Sequence, residues 1–262
     1  MFSVVGVGAL PPPVVTDKMS RVGVISNPAN WDAYRQRVTA YETGNRNIGP
    51  VSGVGSSPQA AAPLVKFLKQ FLAAHPGVRS IVEASCGHWP SGWQSKVRWP
   101  NDLNYTGVDL LVEQTDANAR LVAKRGGPAA FGLAKASFLP MDMVHTRLPR
   151  ADLLLTKDTL IHFTNEQIAT FLSSSVITCP PRFKYVLFAH DELLKRWNFT
   201  SVPERAERGR DKGHHFLDMA LPPFRLNVTT VAVYPSGRCC RKAVQLLDLT
   251  DPGWCPSTSR RS

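Results

Sequence analysis

From residue 80 onward, apolar runs of strand length alternate with amphipathic segments. The runs are "SIVEAS", "YTGVDLL", "ASFLPMD", "ADLLLTKD" and "FKYVLFAH". Parallel strands need crossover connections, and crossover helices cover both faces of the sheet, so this alternation predicts a largely parallel α/β sheet. The clearest crossover segment is "NEQIATFLSSSVI", with Thr164 or Asn165 as N-cap and Glu166 and Gln167 in the first turn. Upstream, "AAPLVKFLKQFLAAHPG" places Leu64, Val65, Leu68, Phe71 and Leu72 at helical spacing, with Pro63 early and Gly77 after the end. "WDAYRQRVTAYETG" reads as a short helix before it. The last third differs. "FRLNVTTVAVYP" and "CRKAVQLLDL" read as two strands joined by a glycine-containing turn, an antiparallel hairpin on the edge of the sheet.

At 262 residues the chain accommodates one domain of about 200 residues plus extensions. The expected division is an N-terminal extension, partly irregular, over 1–49, a main domain over 50–250 and a basic tail over 251–262. No run of 18 apolar residues exists, which excludes a membrane-spanning helix. The start, "MFSVVGVGALPPPVV", lacks a positive region and is interrupted by three prolines, so it is not read as a secretory signal. Five cysteines without metal-type spacing read as mostly reduced thiols, and so as a cytoplasmic protein. The triplets at Asn198 and Asn227 match glycosylation sequons, a pattern common by chance. The net charge of +11 favours anionic partners, nucleic acid among them. Much of the excess lies in local clusters such as "ERAERGRDK" and the terminal "RR". No alternating basic and aromatic pattern of an RNA-recognition sequence is present, and a solvated basic surface is the plainer reading. The sequence sets no oligomeric state.

Ligands of open α/β sheets bind at the carboxyl ends of the strands. Four strands each deliver a carboxylate to that edge: Glu83, Asp109, Asp142 and Asp158. Any one alone is a common turn or cap residue; four together mark a site. The first loop, "SCGHWPSG", is not the G-x-G-x-x-G that lets backbone approach a pyrophosphate, and a carboxylate before it repels phosphate. A cationic ligand without phosphate fits better. S-adenosylmethionine (SAM) carries an ammonium, a sulfonium, a ribose diol and an adenine. Glu83 with Gly87 then serves the methionine part, directly or through water and loop amides, Asp109 the ribose hydroxyls and Asp142 the adenine amino group. Leu110 and Met143, each following one of these carboxylates, and Lys157, preceding Asp158, complete the expected cofactor set.

At these residues the chain resembles the class I, Rossmann-like SAM-dependent methyltransferases. More narrowly, it resembles an uncharacterised microbial and algal subset, some members of which are linked to glycan modification. "EASCGHW" is similar to the family's first loop, "YTGVD" to its second strand, and "ADLLLTKDTLIHF" to its fourth strand and following turn. "GVGSS" (residues 53–57), Asn198 and "GHHFLDMALPPFRL" (residues 213–226) match further blocks, so the resemblance covers roughly residues 50–250. Ser85 stands where the family has glycine, which serine can replace where φ is negative, and His88 where Asp or Gly is common. The resemblance implies a seven-stranded, mostly parallel sheet with an antiparallel last strand and helices on both faces.

The segment after the fourth strand faces the transferred methyl group in this fold. Asp158 and His162 lie there four residues apart, and one helical turn puts them on one face, as an Asp–His general base for a hydroxyl. The alternative is that His162 packs at a helix start and Asp158 ties down a loop. His214, His215 and Asp218 form a second polar cluster, but adjacent histidines are not a metal signature, and no metal is expected. Trp89, Trp93 and Phe224 line a pocket or pack in the core. Cys86 reads as a small loop hydrophobe. "TKDTLIHF" is unlike the Asn/Asp-Pro-Pro-aromatic loop of DNA amino methylation. A ribose methyltransferase of the Lys-Asp-Lys-Glu type could use Lys157, but the remaining members do not assemble from the sequence. The expected function is O-methylation of a glycan or small-molecule hydroxyl. The alternative is a basic, catalytically silent RNA-binding protein of the same fold, or an RNA methyltransferase.

Overall fold

A computed structural model describes residues 28–45, 49–100, 102–192, 200–202, 216–236 and 240–255. The extension before residue 28, Asn198, the basic segment 203–215 with His214 and His215, Cys239 and the tail from 256 lie outside the described residues. All seven expected strands form: β1 Ser80–Ala84, β2 Leu103–Asp109, β3 Leu133–Pro140, β4 Leu153–Lys157, β5 Tyr185–Asp191, β6 Val228–Ser236 and β7 Cys240–Asp248. They make one sheet in the order β3-β2-β1-β4-β5-β7-β6. Every pairing among β1 to β5 is parallel, whereas β7 runs antiparallel to both β5 and β6. The terminal hairpin therefore closes the edge as the sequence implies.

The central strands read as continuous apolar runs because helices cover both faces. Leu153, Leu154 and Leu155 are each fully buried, although successive side chains point to opposite faces. One face carries Val82, Val108, Leu154, Val186 and Phe188 and packs with Phe171 of helix α4 (Asn165–Phe171). The other carries Ile81, Tyr105, Leu153, Leu155 and Val244 and packs with Leu64 and Leu68 of helix α2 (Pro58–Ala74). Helix α3 (Val112–Lys124) joins β2 to β3. Helix α1 (Pro28–Glu42), inside the expected extension, docks on α3 through Arg35–Glu113 and Arg120–Glu42 pairs at 2.9 and 2.7 Å. Tyr41 donates to the Pro90 carbonyl at 2.8 Å, and Val38 is buried with Val51 and Ala117.

The fourth-strand crossover is shorter than its pattern suggests. Thr164 caps α4 with a reciprocal Thr164–Gln167 capping box, but α4 ends after seven residues and passes into a π-turn, Leu172–Val176. In that turn Ser175 is buried and its Oγ accepts from the Leu148 amide at 3.0 Å. The reading of the cysteines needs correction: Cys179 and Cys255 form a disulfide across 76 residues, with a Cα separation of 5.6 Å, while Cys86 is free and buried. This pairing removes the argument for a reducing, cytoplasmic compartment. Among the described residues no helix is long and apolar enough to cross a membrane.

Burial makes Phe171 the anchor of α4, and the cap secures only its first turn. Phe171→Ala is expected to lose about 3–5 kcal/mol of unfolding free energy and Thr164→Ala about 1 kcal/mol. Urea denaturation followed by circular dichroism measures both; equal losses would contradict this division.

Candidate functional site at the switch point

The sheet order reverses between β1 and β4, so the crevice for a ligand lies outside the carboxyl ends of these two strands. The loop after β1 is built for close approach. Cys86 N–H donates to the Val108 carbonyl at 2.8 Å, holding the loop against β2. Gly87 then turns with φ 62°, and a Cβ there would meet Ser52 Oγ at 2.5 Å, so only glycine fits without displacement. Its N–H donates to Asp109 Oδ2 at 2.9 Å, and its carbonyl accepts from Asn118 Nδ2 at 2.8 Å. Asp109 also accepts from the Leu111 amide at 3.3 Å and the Ser85 hydroxyl at 3.5 Å. Burial raises its pKa, with these donors opposing. Leu110 beside it is half-buried.

Glu83 is placed differently from a ligand-facing carboxylate. It is 1% exposed, and both oxygens are taken inside the protein: Tyr105 donates its hydroxyl to Oε2, and Gln94 Nε2 donates to Oε1 at 2.8 Å. Gln94 Nε2 also donates to the Cys86 carbonyl at 2.8 Å, so Glu83 acts on the loop through this amide. The indole N–H of Trp89 donates to the Tyr105 hydroxyl at 3.2 Å, and its ring lies edge-on to Tyr105, Phe131 and Phe138. Trp89, Trp93 and Phe224 are all core residues, which decides the alternative left open by the sequence. Burial also pushes the Cys86 thiol well up, as expected of a loop hydrophobe rather than a nucleophile.

Asp142 follows β3 by two residues. Its Oδ1 accepts from the Val144 amide at 2.8 Å and its Oδ2 from His145 Nδ1 at 2.8 Å, so it caps its own turn while remaining partly exposed. Met143 is buried in the α4-side core.

At the end of β4 the structure corrects the geometry read from sequence. Asp158 has φ 55°, and only a 3-10 turn, Leu160–His162, follows, so no α-helical turn aligns Asp158 with His162. His162 is exposed. The Asp158 carboxylate lies between two ammonium groups, Lys157 Nζ and Lys242 Nζ, each at 2.5 Å. Lys242 reaches on to Asp191 at 2.8 Å, and Lys157 donates to the Gly55 carbonyl at 2.8 Å. Burial acts to raise the Asp158 pKa, but Lys157 and Lys242 outweigh it and hold the group below the usual range. Burial acts to lower that of Lys242, and Asp158 and Asp191 outweigh it upward.

The loop before α2 crosses this crevice. Ser52 Oγ accepts from the His88 amide at 2.9 Å, the Ser56 carbonyl accepts from Trp93 N–H at 3.0 Å, and Gly55 packs on Asp158 so closely that a Cβ would approach Oδ2 to 2.9 Å. Sequence reading missed Lys242, Asp191, Gln94 and Ser52. Asp191 ends a fifth strand at the same edge and was legible by the same rule. Lys242 alternates in phase with Val244 and Leu246, a charge on a core-facing row. Gln94 carries no sequence signal. Among the described residues no group of three or more His, Cys, Asp or Glu could hold a metal.

The order 3-2-1-4-5-7-6 with β7 alone reversed is the class I, Rossmann-like methyltransferase fold. No protein-family model and no curated protein sequence matches the chain. Solved structures do. Magnesium protoporphyrin IX methyltransferase (ChlM) from Synechocystis PCC 6803 with bound SAH (S-adenosylhomocysteine) is 12% identical, over 85% of this chain and 95% of that one, with a TM-score of 0.49. The methyltransferase domain of bacterial CtHen1 is 14% identical over 70% and 97%, TM-score 0.48. The DhpI–SAH complex is 16% identical over 83% and 94%, TM-score 0.47. These likenesses are distant, and the fold assignment rests on the strand order.

Burial raises Glu83 from 4.5 to about 7, against the opposing hydrogen bonds of Tyr105 and Gln94 and the charge of Lys157. Between those two values the folded protein keeps a proton that the unfolded chain has lost. Stability therefore falls as pH rises from about 4.5 to about 7, by about 3 kcal/mol at most, and this contribution levels off above. Urea midpoints measured from pH 4.5 to 8 are expected to show this slope, and Glu83→Gln is expected to flatten it. An unchanged slope in the variant would assign it to other groups.

Proposed function

We propose that the protein is a SAM-dependent methyltransferase acting on a hydroxyl of a glycan or small molecule. The observation that carries this reading is the glycine cradle at the switch point. Gly87 is kept free of side-chain bulk by its positive φ and by Ser52, and its amide is anchored on Asp109 at the end of the neighbouring strand. The donor set suits the cofactor. The crevice edge holds carboxylates and loop amides in place of a phosphate-binding glycine run, which fits a cationic ligand without phosphate.

In this reading Asp109 takes the ribose hydroxyls, with half-buried Leu110 beside it, and Asp142 takes the adenine amino group above Met143. Glu83, through Gln94, fixes the loop against which the methionine part lies. Lys157 acts on the site through the loop 53–57, whose Gly55 carbonyl it holds. When bound, the cofactor supplies a methyl group activated by a sulfonium. The chain's own residues then align the acceptor and accept its proton. Asp158, kept ionised between two lysines, has little proton affinity and instead fixes Lys157 and Lys242. In this reading His162, exposed after the 3-10 turn, takes the proton. The net charge of +11 favours a second reading, in which the acceptor is RNA or the protein binds RNA without catalysis.

Isothermal titration with SAM tests the first step. Saturable binding is expected, weakened at least tenfold by Asp109→Ala; a folded protein showing no binding of SAM or SAH at millimolar ligand refutes the reading. Screening glycans, small alcohols and RNA with labelled SAM then identifies the acceptor. On that acceptor His162→Ala is expected to lower turnover about 10²–10⁴-fold with SAM affinity unchanged. Full turnover from pH 6 to 9 in this variant would leave His162 a structural residue.

A further inference from the structure

The opposite edge of the sheet holds a second concavity, built by the segments that lead into β4 and β5. Its cavity is about 320 Å3, within the size of small-ligand sites, and it is lined by Arg147, Arg150, Arg182, Ser173, Thr178 and Cys179, among others. Arg150 lies just before β4 and Arg182 just before β5. The site is thus separated from the switch-point crevice by the length of β4, about 16 Å for five residues at 3.3 Å each.

Three guanidinium groups meet here without a counterion. Among the described residues, none of Arg147, Arg150 and Arg182 is in an ion pair with a carboxylate. The groups acting on Arg182 lower its pKa: burial first, then the like charges of Arg150 and Arg147. Two of the three are held by backbone carbonyls rather than by acids. Arg182 donates Nε and Nη2 to the Leu148 carbonyl at 2.9 and 2.6 Å, which fixes its plane; among the described residues Nη1 makes no such bond. Arg150 donates Nη1 to the Pro181 carbonyl at 3.1 Å. Arg147 is exposed, with its donors available.

The loop that carries Arg182 is also secured. Cys179 is joined to Cys255, and Trp254 Nε1 donates to the Thr178 carbonyl at 3.4 Å, so the C-terminal segment pins the loop that carries Cys179 and Arg182. Converging like charges on a fixed frame repel one another unless an anion sits among them. Arginine's planar fork pairs with phosphate oxygens in bidentate fashion.

We propose that this pocket binds the phosphate group of a ligand, with Arg147, Arg150 and Arg182 as its donors and a diphosphate as the best match in charge. It is a site separate from the methyl-transfer crevice and does not depend on the chemistry proposed there. Two sources share this chemistry: a free inorganic anion and a nucleoside diphosphate.

Isothermal titration of the full chain with pyrophosphate, and in parallel with ADP and UDP, tests the proposal. Saturable binding with a Kd below 1 mM is expected at physiological salt, weakened at least tenfold in R147A/R150A, a pair chosen because Arg182 also supports Leu148. A nucleoside diphosphate binding tenfold tighter than pyrophosphate would identify the nucleotide as the source, and equal or weaker binding the free anion. Lys66→Ala with Lys69→Ala removes two exposed charges from α2 and is expected to leave the affinity unchanged. Unchanged urea midpoints show that R147A/R150A remains folded. The proposal is overturned if none of the three probes saturates below 1 mM, if R147A/R150A binds as the parent does, or if the α2 double variant loses as much, since the binding would then belong to the overall charge of +11.

Discussion

Four charged side chains line up where the carboxyl ends of β4 and β5 meet the amino end of the reversed β7, and they coexist there because they alternate in sign. Lys157, Asp158, Lys242 and Asp191 are only 4%, 16%, 8% and 13% exposed, so water does little to solvate them. Each ammonium lies between acceptors and Asp158 lies between two ammonium groups. Removing one member would leave a buried charge uncompensated, which costs about 3–5 kcal/mol in comparable pairs. The chain of charges joins an interior parallel strand to the reversed strand β7, and through Gly55 it joins both to the loop before α2. Asp158 reaches this position in a left-handed conformation, φ 55°, which an aspartate adopts at some cost. Packing of Gly55 against its carboxylate and the two lysine contacts hold it there.

The same face of the sheet continues the polar belt toward β2. Glu83, Lys157 and Lys242 alternate with apolar residues that belong to the α2-side core: Ile81 before Glu83, Leu155 before Lys157, Val244 after Lys242. The charge of Lys157 acts on Glu83, and Tyr105 and Gln94 complete its hydrogen bonds. The carboxyl edge is therefore rigid where it meets the loop 52–57. Beyond this frame, Gly87 and Asp142 lie in the loops after β1 and β3, and buried Asp109 ends β2.

The strands, their mostly parallel arrangement and the helices on both faces were legible in the sequence because burial on both faces imposes continuous apolar runs, and the hairpin announces itself by its turn; the order of the strands was not. A cap at Thr164 or Asn165 was legible for the same local reason, and the structure selects Thr164, whose hydroxyl and Gln167 three residues on satisfy each other's backbone donors. The site was legible only as far as one strand end at a time. Asp109 and Gly87 could be singled out because each is local to a turn. Their mutual hydrogen bond spans 22 residues and is set by the register of β1 on β2, which no local pattern states. The pairing of Asp158 with His162 failed because a helical spacing was assumed where a positive φ breaks the turn. The pairing with Lys242 spans 84 residues and follows from the reversed strand. The disulfide between Cys179 and Cys255 is likewise a consequence of where β7 ends, beside the loop before β5.

The departure at Ser85 shows how narrowly the glycine requirement is drawn. A glycine is indispensable where φ is positive or where a Cβ has no room. Gly87 meets both conditions, with φ 62° and Ser52 Oγ 2.5 Å from a built Cβ. Ser85 meets neither necessity of conformation: among the described residues only Asp158 and Arg225 are non-glycine residues of positive φ. A side chain is therefore admissible at position 85, and the one present turns its hydroxyl toward Asp109 Oδ2 at 3.5 Å. The substitution leaves the cradle at Gly87 intact and adds a donor to the carboxylate that anchors it. What changes is the environment of Asp109, which now shares its oxygens among the Gly87 and Leu111 amides and the Ser85 hydroxyl. The contact of Ser85 is the longest of these, so the serine adds to the hydrogen bonding of this carboxylate without dictating the shape of the loop.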